Sequence, residues 1–170
     1  MKLMGNKNYS CETSTSDSTP EAIGAVANLY NATCIAANYP DMLATLPNTA
    51  YKMSNINNLS STLPPANLDL LGHHFFQGST PVFNLDTTPQ RQYGIAFTKV
   101  QKKLDAPSDA VYGDNGAVKW LYLSTIDGTV GDYKSVYRVN TAGGAAPKTC
   151  ENMPSVITVQ YAANYFFYGE

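Results

Sequence analysis

Two adjacent histidines, His73 and His74, are the side chains best suited to acid–base or metal chemistry, and they are the only imidazoles in the chain. They lie in the run LLGHHFF at 70–76, which predicts a β-strand. Because adjacent residues of a strand point to opposite faces, both histidines cannot bind one metal ion without a bulge. A hydrolase would pair one of them with Asp69 or Asp86, which flank the same predicted hairpin. We expect instead that one histidine is packed or hydrogen-bonded structurally and that the other is solvated.

The common catalytic patterns are missing from the sequence. There is no GxSxG nucleophile elbow, and no serine has a spacing that specifies a triad with a histidine and an acid. The 13 acidic residues are scattered, so they offer no paired spacing typical of glycoside cleavage. The three cysteines, Cys11, Cys34 and Cys150, fit neither a zinc ribbon nor a CxxC redox site. We therefore predict no catalytic residue, no metal and no cofactor.

Aromatic residues are the remaining candidates for a binding site. Six of them occupy positions that we interpret as inward-facing: Trp120, Tyr122, Tyr137, Tyr161, Tyr165 and Phe167. Rows of rings beside Asn and Gln commonly hold sugars or flat ligands, although alternating Tyr and Phe more often build the core of a β-protein. The predicted partner is a glycan or a small apolar ligand. The predicted ligand-binding residues are His73, His74, Trp120, Tyr122, Tyr137 and Tyr165.

The charge of the chain argues against polyanionic partners. A formal net charge of −2 and a pI near 5.6 provide no long-range positive field, so nucleic acid and anionic membranes are poor partners. We interpret the basic run Lys99, Lys102 and Lys103 as protection of an edge strand. Arg138 lies in an otherwise apolar strand, where we expect it to stack on a tyrosine or pair with a loop carboxylate. No apolar stretch approaches the roughly 18 residues of a membrane helix.

Strands are the elements that must position these residues. The chain from Ala117 onwards contains three strand-like segments, separated by Asp127-Gly128 and by Gly143-Gly144. The last segment has a period of two, which predicts one buried face. The residues on that face are Ile157, Val159, Tyr161, Ala163, Tyr165 and Phe167.

The first part of the chain adds further short strands. We expect them near 8–12, at 21–30 and at 93–98, together with a hairpin that has its turn at 77–79. Pro40 begins a predicted short helix that Pro47 ends, and 48–65 is an irregular surface excursion. About eight strands, one or two short helices and no βαβ alternation predict an all-β, mostly antiparallel single domain over residues 1–170. A barrel and a two-sheet sandwich both fit.

Sequons and cysteines indicate the compartment. Three N-x-Ser/Thr sequons begin at Asn8, Asn31 and Asn58, and together with the scarcity of charge they favour export and glycosylation. The first five residues are too short for a signal peptide, so we expect the natural N-terminal segment to be missing. Joining Cys150 to either other cysteine would close a loop of over a hundred residues and contribute about 4–5 kcal/mol. Cys34 could also pair with Cys11, and the remaining alternative is three buried, unpaired thiols in a cytosolic protein.

Several stretches together resemble one known family. They are NYSC at 8–11, AVANLYNATC at 25–34, LLGHHFF at 70–76, GAVKWLYL at 116–123, VYRVNTAGGAAP at 136–147 and VQYAANYFFY at 159–168. Over nearly its whole length the chain is similar to secreted fungal members of the DUF3455 family, whose role is unknown. The resemblance implies an upstream signal peptide and a Cys11–Cys150 disulfide, with Cys34 free.

Some relatives in that family carry the label malate dehydrogenase. No GxGxxG follows a strand and opens a helix here, and no acidic residue is placed to bind a ribose. We therefore do not expect an NAD-dependent malate dehydrogenase. The prediction is a secreted binding protein at or outside the cell surface. A structural, stress or spore-surface protein is one alternative, and a hydrolase that uses His73 or His74 with Asp69 or Asp86 is the other.

Overall fold

The fold is an antiparallel β-barrel, seen in a computed structural model that describes residues 2–54, 69–111 and 113–169. The strands are β1 (Lys2–Ser10), β2 (Glu21–Tyr30), β3 (Leu70–Gln77), β4 (Thr80–Thr88), β5 (Arg91–Leu104), β6 (Trp120–Thr125), β7 (Ser135–Gly143) and β8 (Val156–Tyr168). Each strand pairs with the next one in sequence, and β8 pairs with β1 to close the barrel. The all-β prediction is confirmed, and of the two proposed architectures the barrel is the one adopted.

Strand β8 has the buried face that its period of two predicts. Tyr161, Ala163 and Tyr165 are buried inside the barrel, and Phe167 packs against the same cluster. Tight turns also form where glycines were expected to mark them. Gln77 pairs with Thr80 across a two-residue turn, and Gly78 there has a φ of 60°, a conformation that glycine adopts without strain. The predicted β3–β4 hairpin is therefore confirmed.

Two helices cover part of the outside of the barrel. They are α1 (Thr33–Asn38), which the sequence analysis did not predict, and α2 (Pro40–Ser54). Apolar side chains of α2, such as Ala50, pack against Ala142 of β7 and Ala162 of β8, so the outward face of β8 is also buried there. Neither helix is long and apolar enough to span a membrane, and the same holds for any other helix in the described ranges.

The prediction that Pro47 ends its helix is wrong, because α2 continues through Pro47 to Ser54. Proline has no N–H to donate to the carbonyl four residues earlier, which is that of Leu43. The buried side chain of Asn164 on β8 supplies the missing donor, since its Nδ2 lies 2.7 Å from the Leu43 oxygen. A contact between residues distant in sequence thus compensates for the proline. The irregular excursion predicted at 48–65 is wrong over 48–54, which is helical, and its remainder lies outside the described residues.

One disulfide joins the end of β1 to the loop before β8. Cys11 and Cys150 are bonded with Cα atoms 5.7 Å apart, and 139 positions separate them in the chain. Cys34 is free and exposed. The two alternative pairings and the reading of three free thiols are therefore wrong.

Candidate functional site

Part of the barrel interior is a cavity of about 600 Å³. Its mouth lies beside the β3–β4 turn, where Ser79, Lys99 and Lys103 are exposed. Its bottom is formed by buried side chains, among them Phe83, Leu123 and Tyr165. Pockets for small organic ligands typically have volumes of about 300–1,000 Å³, so this cavity is large enough for one.

The cavity divides the barrel interior into two regions. We call the cavity and its lining the hollow half. We call the region of buried residues that do not line it the packed half, represented by Leu29, Leu85, Ala96, Val136 and Ala163. Phe83, Leu123 and Tyr165 belong to the lining and to the buried cluster, so they form the boundary between the two halves.

His74 stands at this boundary as a packed, neutral side chain. Its ring stacks on Phe83 with centroids 4.3 Å apart, and its Nδ1 lies 2.9 Å from the carbonyl oxygen of Val82. Because a carbonyl only accepts, Nδ1 carries the proton. Burial lowers the pKa of His74 to about 3, and the positive charges of Arg138 and Lys7 act in the same direction. His74 is therefore uncharged at neutral pH.

The side chain of His73 points to the opposite face of β3, as expected for a residue adjacent to His74 in a strand. It is exposed, and its Nδ1 lies 3.1 Å from Oδ1 of Asn28 on β2. The expectation of one packed and one solvated histidine is therefore confirmed. His73 does not line the cavity.

The acidic residues considered for a hydrolase do not join either histidine. Asp69 pairs with Arg91 at 3.2 Å, and Oδ1 of Asp86 accepts a hydrogen bond from the backbone N–H of Gly94 at 2.6 Å. In the described ranges no group of three or more His, Cys, Asp or Glu residues could hold a metal ion. The structure thus provides no assembled acid–base or metal site at these positions.

Two basic side chains enter the barrel interior beneath the mouth. Arg138 of β7 is only 6% exposed, and its Nε and Nη2 donate to the carbonyl oxygen of Lys119 at 3.1 and 2.8 Å. The expected tyrosine stack or loop carboxylate is therefore replaced by a backbone carbonyl. Lys7 of β1 has its Nζ 5.4 Å from the centroid of the Phe76 ring. Burial, followed by repulsion from Arg138 and Lys103, lowers the pKa of Lys7 to about 8.

The lining of the cavity is cationic as well as apolar. Its basic residues are Lys7, Lys99, Lys103, Lys119 and Arg138, and no acidic residue of the described chain lines it. Lys119 forms an ion pair with Asp105 at the protein surface. The interpretation of the lysine run as edge protection is wrong, because β5 pairs with β4 and β6 and has no free edge. Lys99 and Lys103 stand at the cavity mouth instead.

Three of the predicted ligand-binding aromatics have side chains that point away from the barrel interior. Trp120 and Tyr122 alternate with Leu121 and Leu123, and it is the leucines that line the cavity. In the same way Tyr137 alternates with inward-facing Val136 and Arg138, and it is 38% exposed. Tyr122 and Tyr137 stack on the outer surface with ring centroids 5.0 Å apart. The inward assignment of these three residues is wrong, because both faces of β6 are apolar and the period alone does not show which face turns inward.

Of the predicted ligand-binding set, His74 and Tyr165 line the cavity. Lys7, Leu121 and Arg138 also line the cavity, and none of them was predicted to do so from the sequence. A signal was present for the two cations: Lys7 has the same parity as Tyr9, and Arg138 the same parity as Val136, so each shares the buried face of its strand.

Comparisons with known proteins reach the level of the family and no further. No curated protein and no solved structure matches the chain. A family profile matches residues 2–169, which is nearly the whole chain. The chain therefore belongs to the family described as protein of unknown function (DUF3455).

Proposed function

We propose that this protein is a binding protein that holds a small apolar molecule inside its barrel and performs no chemistry on it. The observation that carries the proposal is the cavity of about 600 Å³, whose bottom consists of buried apolar side chains. Burial of apolar surface contributes about 25 cal/mol per Å², so an aliphatic guest gains free energy by leaving water for this bottom. Ring and branched side chains such as Phe76, Val100 and Leu121 form the walls.

A neutral aliphatic probe tests this proposal directly. Decanol titrated into the protein, followed by calorimetry and by native mass spectrometry, should bind with one-to-one stoichiometry. The variant Val100→Trp places a large ring in the cavity and should weaken decanol binding more than about tenfold, because the ring occupies the space of the guest. The matched control is Val26→Trp, since Val26 is 62% exposed and does not line the cavity.

Circular dichroism of both tryptophan variants establishes that each is folded before binding is compared. Equal affinities of the two variants would place the guest elsewhere on the protein. If no aliphatic probe of this length binds to the wild type, the proposal is refuted.

We also infer that the protein is exported and N-glycosylated. The Cys11–Cys150 disulfide supports export, because such bonds persist in oxidising compartments. Asn31, in the sequon Asn-Ala-Thr, is exposed, and Asn8 is partly exposed on the outside of the barrel. Asn58 lies outside the described residues. Fungal origin and a place at or beyond the cell surface remain predictions from the resemblance.

Expression through a eukaryotic secretory pathway tests this inference. We expect the mass of the secreted protein to fall on treatment with an N-glycosidase, and the Asn31→Gln variant to show a smaller fall than the wild type. Ser18→Gln, at a partly exposed position outside any sequon, is the control. A mass that the N-glycosidase does not change, or a secreted protein in which Cys11 and Cys150 are reduced, would contradict the inference.

A glycan partner has a different candidate surface. Tyr137 and Tyr168 are 38% and 53% exposed, and their rings meet edge to face with centroids 5.5 Å apart. Exposed tyrosines of this kind can contact sugar rings. A glycan array should therefore show binding that the Tyr168→Ala variant loses. An array without signal removes this second candidate and leaves the cavity proposal unaffected.

A further inference from the structure

We propose that the guest in the cavity is an amphipathic anion, whose negatively charged head group lies between Lys7 and Arg138 and whose apolar body reaches the bottom of the hollow half. This inference rests on the proposed binding function and specifies the chemical class of the guest. A linear carboxylate is the simplest member of that class.

Arg138 is the first reason for an anionic head group. A guanidinium keeps its charge at every physiological pH and has five N–H donors in a fixed plane. Two of these donors are used on the carbonyl oxygen of Lys119, and the others have no protein partner within the described residues. A buried charge without a counter-ion is costly, and Arg138 is 6% exposed. A carboxylate bound in the cavity would supply the missing counter-charge.

Lys7 is the second reason, because it brings another positive charge into the same interior. Repulsion between Lys7 and Arg138 contributes to the lowered pKa of the lysine. Both side chains line the same cavity, and an anion placed between them adds two attractions that offset their mutual repulsion. Strands β1 and β7 hold these side chains from opposite sides of β8, with which both strands pair.

The distribution of charge over the whole chain points the same way. The protein has 13 acidic and 11 basic residues, yet five of the basic residues and, in the described chain, none of the acidic ones line this cavity. A protein of net negative charge thus presents a positive entrance. Lys99 and Lys103 at the mouth would attract an anion before it contacts the two inner cations.

The bottom of the cavity defines the other end of the guest. Phe83, Leu123 and Tyr165 are buried and present apolar surface, and the neutral ring of His74 adds no charge there. A fully polar anion such as inorganic phosphate would leave this surface in contact with water. An aliphatic chain attached to a single anionic group satisfies both ends of the cavity.

Two probes of equal chain length separate this inference from the proposed function. Decanoate and decanol have the same aliphatic chain, and only decanoate is charged at pH 7. We expect the wild type to bind decanoate at least tenfold more tightly than decanol. Decyl sulfate should behave like decanoate, because the site recognises charge on an apolar chain.

The variant Lys7→Met tests where the head group lies. It should weaken decanoate binding about tenfold and change decanol binding less than about twofold, because methionine keeps an apolar side chain of similar length. The matched control is Lys102→Met, an exposed lysine on β5 that does not line the cavity. It should leave both affinities unchanged.

The pH dependence of decanoate binding is a second test of the inference, and it needs no variant. The lowered pKa of Lys7, about 8, means that the free protein loses this charge between pH 7 and 9. Decanoate binding should therefore weaken over that interval, while decanol binding stays constant. The other charged or titratable groups around the cavity are Arg138, Lys99, Lys103, Lys119, His74, Tyr9 and Tyr165.

The outcomes are distinguishable. If decanoate and decanol bind equally, or if Lys7→Met binds decanoate as the wild type does, the anionic site is refuted and the apolar cavity proposal stands. If neither probe binds, the proposed function itself fails. Should Lys7→Met not fold, Lys103→Met at the mouth and the pH series decide, and an unchanged decanoate affinity in both would overturn the inference.

Discussion

The packed half and the hollow half of the barrel are built from the same strands with different side chains. On β7, Val136 is completely buried in the packed half, and Arg138, two residues later on the same face, lines the cavity. At the boundary between the halves rings meet at favourable angles, as between Phe83 and Phe167, whose planes are 86° apart at a centroid distance of 5.3 Å. The packed half thus excludes water, and the hollow half contains a cavity and charged side chains.

This contrast separates stability from recognition. The two inner cations of the hollow half, Lys7 and Arg138, are unfavourable for folding, because burial without a counter-ion penalises a charge. The packed half and the Cys11–Cys150 disulfide stabilise the fold and offset this cost. We therefore expect substitutions in the packed half to change the free energy of unfolding, and substitutions in the hollow half to change ligand affinity first.

The largest expected effect is loss of the disulfide. The double substitution Cys11→Ser and Cys150→Ser should lower the free energy of unfolding by about 4–5 kcal/mol, because the bond closes a loop of more than a hundred residues in the unfolded chain. Urea denaturation measures this change. The free, exposed Cys34 provides the control, and Cys34→Ser should change stability by less than about 0.5 kcal/mol. A disulfide variant as stable as the control would show that packing alone maintains the hollow half.

His74, at the boundary between the halves, should make the wild type sensitive to acid. Its pKa in the folded protein is about 3, below the ordinary value of 6.5, so the unfolded chain binds this proton more readily. The contribution of neutral His74 to the free energy of unfolding is therefore fully present above pH 6.5 and is lost as the pH falls towards 3. At pH 4 the free energy of unfolding should be lower by about 3 kcal/mol than at neutral pH.

The variant His74→Phe isolates that contribution. It cannot take up the proton, so its free energy of unfolding should fall less than that of the wild type between pH 7 and pH 4. At pH 7 it should be about 1–2 kcal/mol less stable, because the carbonyl of Val82 loses its partner. Urea denaturation at several pH values gives both numbers. Parallel pH profiles for the two proteins would mean that His74 titrates normally and lies in water.

Much of this fold could be predicted because its signals are local. The alternation in β8 shows its buried face within a single strand, and Gly78 marks a turn between two neighbouring strands. Closure of the barrel depends on pairing between β1 and β8, at opposite ends of the chain, and no local pattern specifies it. The same is true of α2, which continues through Pro47 because Asn164 is nearby only in the folded protein.

The candidate site was less predictable than the fold, because a cavity is a property of the assembled interior. The sequence shows that Leu121 and Tyr122 lie on opposite faces of β6, and it does not show which of them faces inward. Lys7 and Arg138 are 131 positions apart in the chain, and they line the same cavity because both of their strands belong to the closed barrel on either side of β8. Their association becomes visible only once the order of strands is known.

A pair of leucine substitutions compares the two halves directly. Leu29→Ala in the packed half should cost about 3 kcal/mol, because it creates a void among fully buried side chains. Leu121→Ala in the hollow half should cost about 1 kcal/mol, because Leu121 is partly buried and already borders open space. Denaturation curves give the two values, and decanol titration should show weaker binding for Leu121→Ala alone. Equal losses of stability would mean that the two halves are packed alike.

The last prediction concerns the hydrogen bond between Asn164 of β8 and helix α2. Asn164→Ala should cost about 1.5 kcal/mol, because it leaves the buried carbonyl of Leu43 without its donor. Pro47→Ala restores the helical N–H that can reach this carbonyl, so the asparagine becomes less important in that background. A double-mutant cycle should therefore give a coupling free energy of about 1 kcal/mol between the two positions.

Strict additivity in that cycle would contradict the compensation between Asn164 and Pro47, and it would mean that the asparagine stabilises β8 in another way. Decanol binding should be the same in all four proteins of the cycle, because Asn164 and Pro47 both lie outside the cavity lining. A change in affinity without a change in stability would show instead that the outer face of β8 is connected to the hollow half. In that case β8 would affect both the stability of the protein and its recognition of the ligand.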